Sequence, residues 1–212
     1  MLLLALDTST PAVTVAVHDG ARTLAESSTV DAMRHGELLA PAIESALTTA
    51  GVDRRDLTRI VVGVGPGPYT GLRVGLVTAR TLGVVLGIPV DGVCSLDVLA
   101  AGYAGGGDFV VATDARRKEV YWARYADGRR IEGPGVLRPA DLALRLGRPM
   151  RVVGPGAVLC PDLDQVSDGP EQMSAATMAA GVTDGRIPTV PPEPMYLRRP
   201  DAVAPGAPKS VL

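Results

Sequence analysis

The feature that most constrains this chain is that it repeats itself. An apolar run from Leu2 to Leu6 ends at Asp7, Ala12-Val-Thr-Val-Ala-Val17 reads as a second strand, and Asp19-Gly20 is a hairpin signal opening a third strand from Arg22. The same grammar returns later: Phe109-Val-Val-Ala112 runs to Asp114, Glu119-Val-Tyr-Trp-Ala-Arg-Tyr125 follows, and Asp127-Gly128 turns the chain into a strand near Arg130. The carboxylate-to-turn spacing is 12 residues in the first copy (Asp7 to Asp19) and 13 in the second (Asp114 to Asp127). Each unit is followed by a helical pattern and then by a shared phrase, Arg59-Ile-Val-Val-Gly-Val-Gly-Pro-Gly67 and Arg151-Val-Val-Gly-Pro-Gly156, which leads to another helix. The expectation is a duplicated α/β fold, two mixed sheets covered by helices, with the second half abbreviated. The halves, residues 1–105 and 106–212, should meet at the Gly105-Gly-Gly107 linker.

In the first half the helices are expected from His35 to Ala50, with Leu38, Leu39, Ala42, Ile43, Ala46 and Leu47 on one stripe, and from Thr70 to Leu86. Weaker patterns lie near Ala140 to Leu146 and Ser174 to Gly181. In the Thr70 helix, Gly71, Gly75, Ala79, Gly83 and Gly87 recur every four residues and form a groove for a packing partner. Its remaining surface, Leu72, Leu76, Val77, Val84 and Val85, is apolar too, so a second partner is expected, either the first long helix or another subunit.

Composition narrows the function. With Lys+Arg at 21 against Asp+Glu at 23, no basic excess exists to release counterions from a nucleic-acid backbone, so any such contact should be shared or indirect. Aromatic residues are 3% of the chain, which removes a broad base-stacking platform and leaves Val, Leu and Ala to fill the core. Cys94 and Cys160 are too few for a disulfide framework and lack zinc-site spacing, which suits a reducing cytosol. The N-terminal run has no basic flank or cleavage pattern, and no apolar run reaches the roughly 20 residues of a membrane span.

The glycine-rich loop Gly65-Pro-Gly-Pro-Tyr-Thr-Gly-Leu-Arg73 stands between a strand and a helix, where backbone N–H groups and the helix dipole can hold an anion. It is no Walker loop, because five residues separate Gly65 from Gly71 and Leu72 stands where a Lys is required. A dinucleotide-binding reading has Asp91 at the ribose-carboxylate distance, 20 residues past Gly71, but Pro66 and Pro68 remove two donors and Thr70 replaces the third glycine. A tight strand-to-helix turn is the plainer alternative. Asp7-Thr-Ser-Thr10 offers a carboxylate and hydroxyls at a strand end, suited to magnesium and phosphate or simply to an Asx or Ser/Thr turn. His18 and His35 have no metal-pair spacing, and Ser9, Ser95 and Ser174 have no nucleophile-elbow context.

Five segments, taken together and in order, resemble a known family: Leu3-Leu-Ala-Leu-Asp-Thr-Ser-Thr10, Arg34-His-Gly-Glu-Leu-Leu-Ala-Pro41, Gly65-Pro-Gly-Pro-Tyr-Thr-Gly-Leu-Arg-Val-Gly75, Asp114-Ala-Arg-Arg-Lys-Glu-Val-Tyr121 and Met195-Tyr-Leu-Arg198. The resemblance, which spans nearly the whole chain, is to TsaB (YeaZ) proteins of tRNA threonylcarbamoyladenosine synthesis. It implies an ASKHA fold, the duplicated actin-like and sugar-kinase-like architecture. It also implies a non-catalytic subunit that heterodimerises with TsaD, the transferase placing threonylcarbamoyl on N6 of adenosine 37 in tRNAs reading codons beginning with A, and that works with the ATPase TsaE. No cofactor and no metal are implied for the chain itself, tRNA is met only through the complex, and the isolated chain is expected to homodimerise.

On this resemblance the partner interface is expected at His35, Leu38, Leu39, Ile43, Leu72, Arg73, Leu76 and Arg80 of the two first-half helices. A vestigial phosphate site is expected at Asp7, Thr8, Ser9, Gly65, Gly67, Thr70 and Gly71. Pro68-Tyr69 stands where the family usually has Ser-Phe, and Gly36 where it has Ser, which weakens anion binding there. The alternatives are an ASKHA phosphotransferase, against which the short second half argues, and a nicotinamide-dependent Rossmann enzyme. The tail from Pro188 to Leu212, with seven prolines, should run along the surface, anchored by Met195 to Arg198.

Overall fold

The computed structural model describes residues 1–198; the last part of the expected tail lies outside them. The first half runs β1 (Leu3–Asp7), β2 (Ala12–His18), β3 (Thr23–Val30), α1 (His35–Ala50), β4 (Arg59–Gly65), α2 (Tyr69–Leu86), β5 (Val90–Cys94) and α3 (Ser95–Ala101). The second runs β6 (Phe109–Asp114), β7 (Val120–Ala126), β8 (Arg129–Leu137), α4 (Pro139–Leu146), β9 (Arg151–Val153), β10 (Asp164–Gln165) and α5 (Ala175–Thr183). The sheets are ordered β3-β2-β1-β4-β5 and β8-β7-β6-β9-β10, so the two halves have one strand order and the duplication holds. In both, the first three strands pair antiparallel and the fourth joins the first in parallel.

Burial explains why the leading strands read as unbroken apolar runs. Leu3 and Ala5 of β1 pack into a core between the two sheets, while Leu4 and Leu6 pack under α1 and α2. In β6, Phe109 and Val111 face the shared core, and Val110 and Ala112 face α4. The layers are therefore α1 and α2, first sheet, α3 and α5, second sheet, α4. The middle helices are covered on both sides and are small or apolar nearly throughout: Leu96, Val98 and Leu99 on α3, Ala175, Met178 and Ala179 on α5. The Ser174 side chain caps α5 by accepting the Thr177 N–H at 3.0 Å.

Three expectations change. The second glycine phrase leads to a single 3₁₀ turn, Ala157–Leu159, and not to an α-helix. The abbreviation of the second half is thus the loss of the counterpart of α2. Neither β5 nor α3 stood out in the sequence, because the apolar stretch from α2 runs into them and α3 begins at Ser95 after Cys94, whose side chain makes no capping hydrogen bond. Finally, α5 packs on β1 and β2 of the first sheet, with Ala175 N–H donating to Thr14 Oγ1 at 3.1 Å, so a second-half helix is shared. Gly105 to Gly107 lies in the loop between α3 and β6.

Candidate functional site

The C-terminal ends of β1 and β6 face each other across a cleft. Its walls are the Thr8–Pro11 turn, the Gly67–Gly71 segment, and Thr113, Asp114, Arg116 and Tyr121, around cavities of about 300 and 170 Å³. The duplication is visible here at atomic scale. Gly65 and Gly154 open the two glycine phrases at φ of +93° and +95°. A Cβ on Gly67 would stand 2.0 Å from Ser9 O, and one on Gly156 would stand 2.7 Å from the Thr113 backbone. Each phrase lies directly on the residue near the end of its half's first strand, a closeness that only glycine allows.

The two halves differ in their carboxylates. Asp114 is exposed, whereas Asp7 is fully buried. Asp7 Oδ1 accepts from Ser9 N–H at 2.7 Å, Oδ2 accepts from Ser95 Oγ at 2.7 Å, and Ser9 Oγ lies 2.9 Å from Oδ1. Burial raises the Asp7 pKa above the usual carboxylate value, and the Ser95 and Ser9 hydrogen bonds oppose that rise. Thr8 Oγ1 donates to Gly71 O at 2.7 Å and accepts from Gly75 N–H at 2.9 Å. The oxygens of Asp7, Thr8 and Ser9, expected to hold phosphate, are consumed inside the protein. This corrects those three positions: they lock β1 to the glycine loop, α2 and α3. Gly65 is buried and Gly67 half-buried, and only Thr70 of the expected phosphate residues has an exposed side chain.

The same packing disposes of two other readings. The Gly71 and Gly75 part of the groove on α2 is filled by Thr8, and Gly83 receives Val90, so the groove is occupied within the chain. Asp91 pairs with Arg59 at 2.7 Å, at the far end of β4 from the glycine loop, where it serves no ribose. Among the described residues no cluster of three His, Cys, Asp or Glu side chains is arranged to hold a metal. No helix among them is long and apolar enough to cross a membrane.

The expected interface residues divide. Leu39 is 1% exposed, Leu72 1%, Leu76 4% and Ile43 9%, all in the core between the first sheet and its helices, so these four are corrected to core positions. His35 and Leu38 are half-buried, and His35 Nε2–H donates to Thr10 O at 2.8 Å. Arg73 and Arg80 are exposed. Between and beyond them on α2 stand Val77, Val84 and Val85, exposed by 63%, 84% and 73%. The physical reason is the glycine row: the side of α2 without side chains can approach the sheet, and it carries Leu72 and Leu76 inward with it.

Two features were missed in the sequence. Tyr69 and Tyr196 stack with ring centroids 4.5 Å apart, and the Arg73 guanidinium lies 4.0 Å from the centre of the Tyr69 ring, with Nε donating to Tyr196 Oη at 2.9 Å. Pairing across 127 positions leaves no local signal. The segment carrying Tyr196 is anchored as expected: Val190 pairs with Gly92, Met195 N–H donates to Val64 O at 2.9 Å, and Arg198 bonds Ala115 O and pairs with Glu119. At the opposite end of the second sheet, Tyr125 Oη donates to the buried Asp97 at 2.7 Å. Burial raises the Asp97 pKa and pushes the neighbouring Cys94 thiol up to about 11, which makes it an unreactive core sulfur.

A family model described as TsaD, tRNA N6-adenosine threonylcarbamoyltransferase, matches residues 24–150. The chain is 47% identical over 211 residues to an uncharacterized protein of Mycobacterium leprae (strain TN); the match covers 95% of this chain and 56% of that one, so the chain spans little more than half of that relative. It is 33% identical over 221 residues to the tRNA threonylcarbamoyladenosine biosynthesis protein TsaB of Escherichia coli (strain K12), covering 93% of this chain and 95% of that protein. Among solved structures, YeaZ from Pseudomonas aeruginosa matches with a TM-score of 0.77 and 29% identity over 92% of this chain and 99% of that chain.

Proposed function

The chain belongs to the TsaB (YeaZ) family, and from that premise we propose that it is a non-catalytic subunit of the machinery that attaches threonylcarbamoyl to N6 of adenosine 37 in tRNA. Its partner is a TsaD-like transferase, with a TsaE-like ATPase acting on the assembly and tRNA met through the complex, in the cytosol. The observation that carries this reading is the outer face of α2, where Val77 stands in water just before Arg80, and Val84 and Val85 stand in water between Arg80 and the end of the helix. Three valines on one helix are an apolar patch of the kind that marks a protein interface. In the absence of the partner the same patch drives self-association. The closed Asp7 network supports a non-catalytic role, since a phosphotransferase needs that carboxylate free to address magnesium.

The test is sedimentation of the chain with its purified TsaD-like partner. Val84→Glu leaves the fold intact, because the side chain is in water, and weakens the heterodimer by about 10- to 100-fold by placing an unpaired charge in the interface. A folded Val84→Glu chain that pairs normally removes α2 from the interface.

A further inference from the structure

On the rim of the cleft the turn from β6 to β7 holds Arg116, Arg117 and Lys118 at φ of +62°, +56° and +62°. Three successive residues with Cβ atoms in the left-handed region are costly, and such strain persists where the surroundings over-determine it. Here they do. Ala115 N–H donates to Glu119 O and Glu119 N–H to Arg116 O, both at 3.0 Å, while Arg198 Nη1 holds Ala115 O at 3.1 Å. All three cations are exposed, and the Lys118 ammonium has no ion-pair partner among the described residues.

The Tyr69–Tyr196 stack with Arg73 adjoins this turn. Residues 196–198 lead from the aromatic pair to Ala115, and Pro68 and Arg116 line the same cavities. Tyr69 and Tyr196 are 37% and 38% exposed. The surface thus gathers Arg73, Arg116, Arg117, Lys118 and Arg198 against the carboxylates Asp114 and Glu119, in a chain whose net charge is −2. Cations beside partly exposed aromatic rings are what an unpaired RNA strand requires: guanidinium and ammonium groups for phosphates, a ring for a base. The valine face proposed for the protein partner begins one turn beyond Arg73 at Val77 and extends away from these cations to Val84, 11 residues beyond Arg73 and about 16 Å along the helix axis.

We propose that the Arg116-Arg117-Lys118 turn and the Tyr69–Tyr196 platform contact loop nucleotides of the RNA substrate in the assembled complex, so that this subunit contributes directly to RNA binding. The inference rests on the reading of the chain as a TsaB subunit. The sequence as a whole showed no basic excess; on this rim Arg116 pairs with Asp114 and Arg198 with Glu119, and Lys118 is the cation on which the test turns.

The experiment uses the complex reconstituted with the TsaD-like partner and a fluorescent in vitro transcript of a tRNA reading a codon that begins with A. Anisotropy is followed through a potassium chloride titration, with sedimentation reporting subunit pairing. Lys118→Glu is expected to weaken RNA binding about tenfold and to flatten the salt dependence by about one unit of slope for each phosphate that the side chain no longer neutralises, with pairing unchanged. Tyr196→Ala is expected to weaken binding without altering the slope. Should Lys118→Glu fail to fold, Lys118→Gly removes the charge while suiting the left-handed backbone. Unchanged RNA affinity in folded, paired variants overturns the proposal. Loss of pairing in place of RNA binding overturns it too, by making the turn a protein interface. If the unmodified chain does not pair with its partner at all, the functional reading falls and this inference falls with it.

Discussion

A Cβ added to Gly63 would stand 1.7 Å from Asp7 Oδ2. The buried carboxylate therefore lies across β4 in space that only a glycine leaves, and Gly63 belongs to the Asp7 network although it makes no hydrogen bond to it. Gly63→Ala must push the carboxylate off its Ser9 and Ser95 donors or bend two paired strands. The expected cost is about 3 kcal/mol or more, in the range of overpacking plus broken buried hydrogen bonds. Urea unfolding measures it, and a loss below about 1 kcal/mol would show that Asp7 has room to move.

Asp7→Asn separates charge from shape. The Ser9 N–H keeps an oxygen acceptor, and the Ser9 and Ser95 hydroxyls rotate to accept from the new amide. Because burial raises the Asp7 pKa in the fold, the folded wild type binds its proton more tightly than the unfolded chain. Its contribution is full at pH below the ordinary carboxylate value and is lost as pH rises through the folded pKa. The stability of Asp7→Asn relative to wild type therefore increases as pH rises from the ordinary carboxylate value, about 4, through the raised pKa of the folded state. The raised Asp97 and the lowered Asp19, Asp31, Asp108 and Asp184 are common to both proteins and cancel. A difference that shrinks as pH rises contradicts the account.

Leu76 and Val77 are neighbours with opposite fates, 4% and 63% exposed. Leu76→Glu buries an unpaired carboxylate under α2 and unfolds the chain at neutral pH. Val77→Glu keeps the wild-type circular dichroism melt to within about 0.5 kcal/mol and changes association only. Equal effects of the two on stability would mean that α2 sits rotated about its axis.

Met178 is fully buried in the core shared by both sheets, and α5 contacts β1, β2 and β3 of the first. Met178→Ala should cost about 2–5 kcal/mol through reduced burial and the cavity left behind. Since the helix is common property, the two halves unfold together in one transition. Two separated transitions in this variant would show that the sheets are held together by other contacts.

The duplication was legible because both copies keep the same turn signals and glycine phrases, and β1, β2, β6 and β7 announce themselves as apolar runs covered on both faces. The bounds of α1 fall at His35 and Ala50, as its stripe indicates. What the pattern leaves undecided is orientation. α2 is apolar around much of its circumference, so periodicity alone does not say whether Leu72 and Leu76 or Val77 and Val84 meet the sheet. The glycines decide it, through approach distances to Thr8 and Val90 that exist only in three dimensions. The phosphate reading of Asp7 fails for a related reason: Ser95, which occupies one of its oxygens, lies 88 positions away on an unforeseen helix.

Lys118 tests whether the left-handed turn is kept for stability or for its charge. At φ of +62° a lysine carries a steric cost that glycine does not, offset in part by the greater freedom of glycine when unfolded. Lys118→Gly is therefore expected to raise stability by about 0.5–1 kcal/mol in urea unfolding, the remainder of a strain of about 1–2 kcal/mol after that entropic offset. The same substitution removes a cation from the rim and is expected to weaken RNA binding by the complex. A chain that is more stable without Lys118 yet binds RNA less well holds the residue for contact and bears its strain, as functional sites do. If Lys118→Gly instead destabilises the fold, the side chain packs to structural effect, and its place in the RNA surface loses its simplest justification.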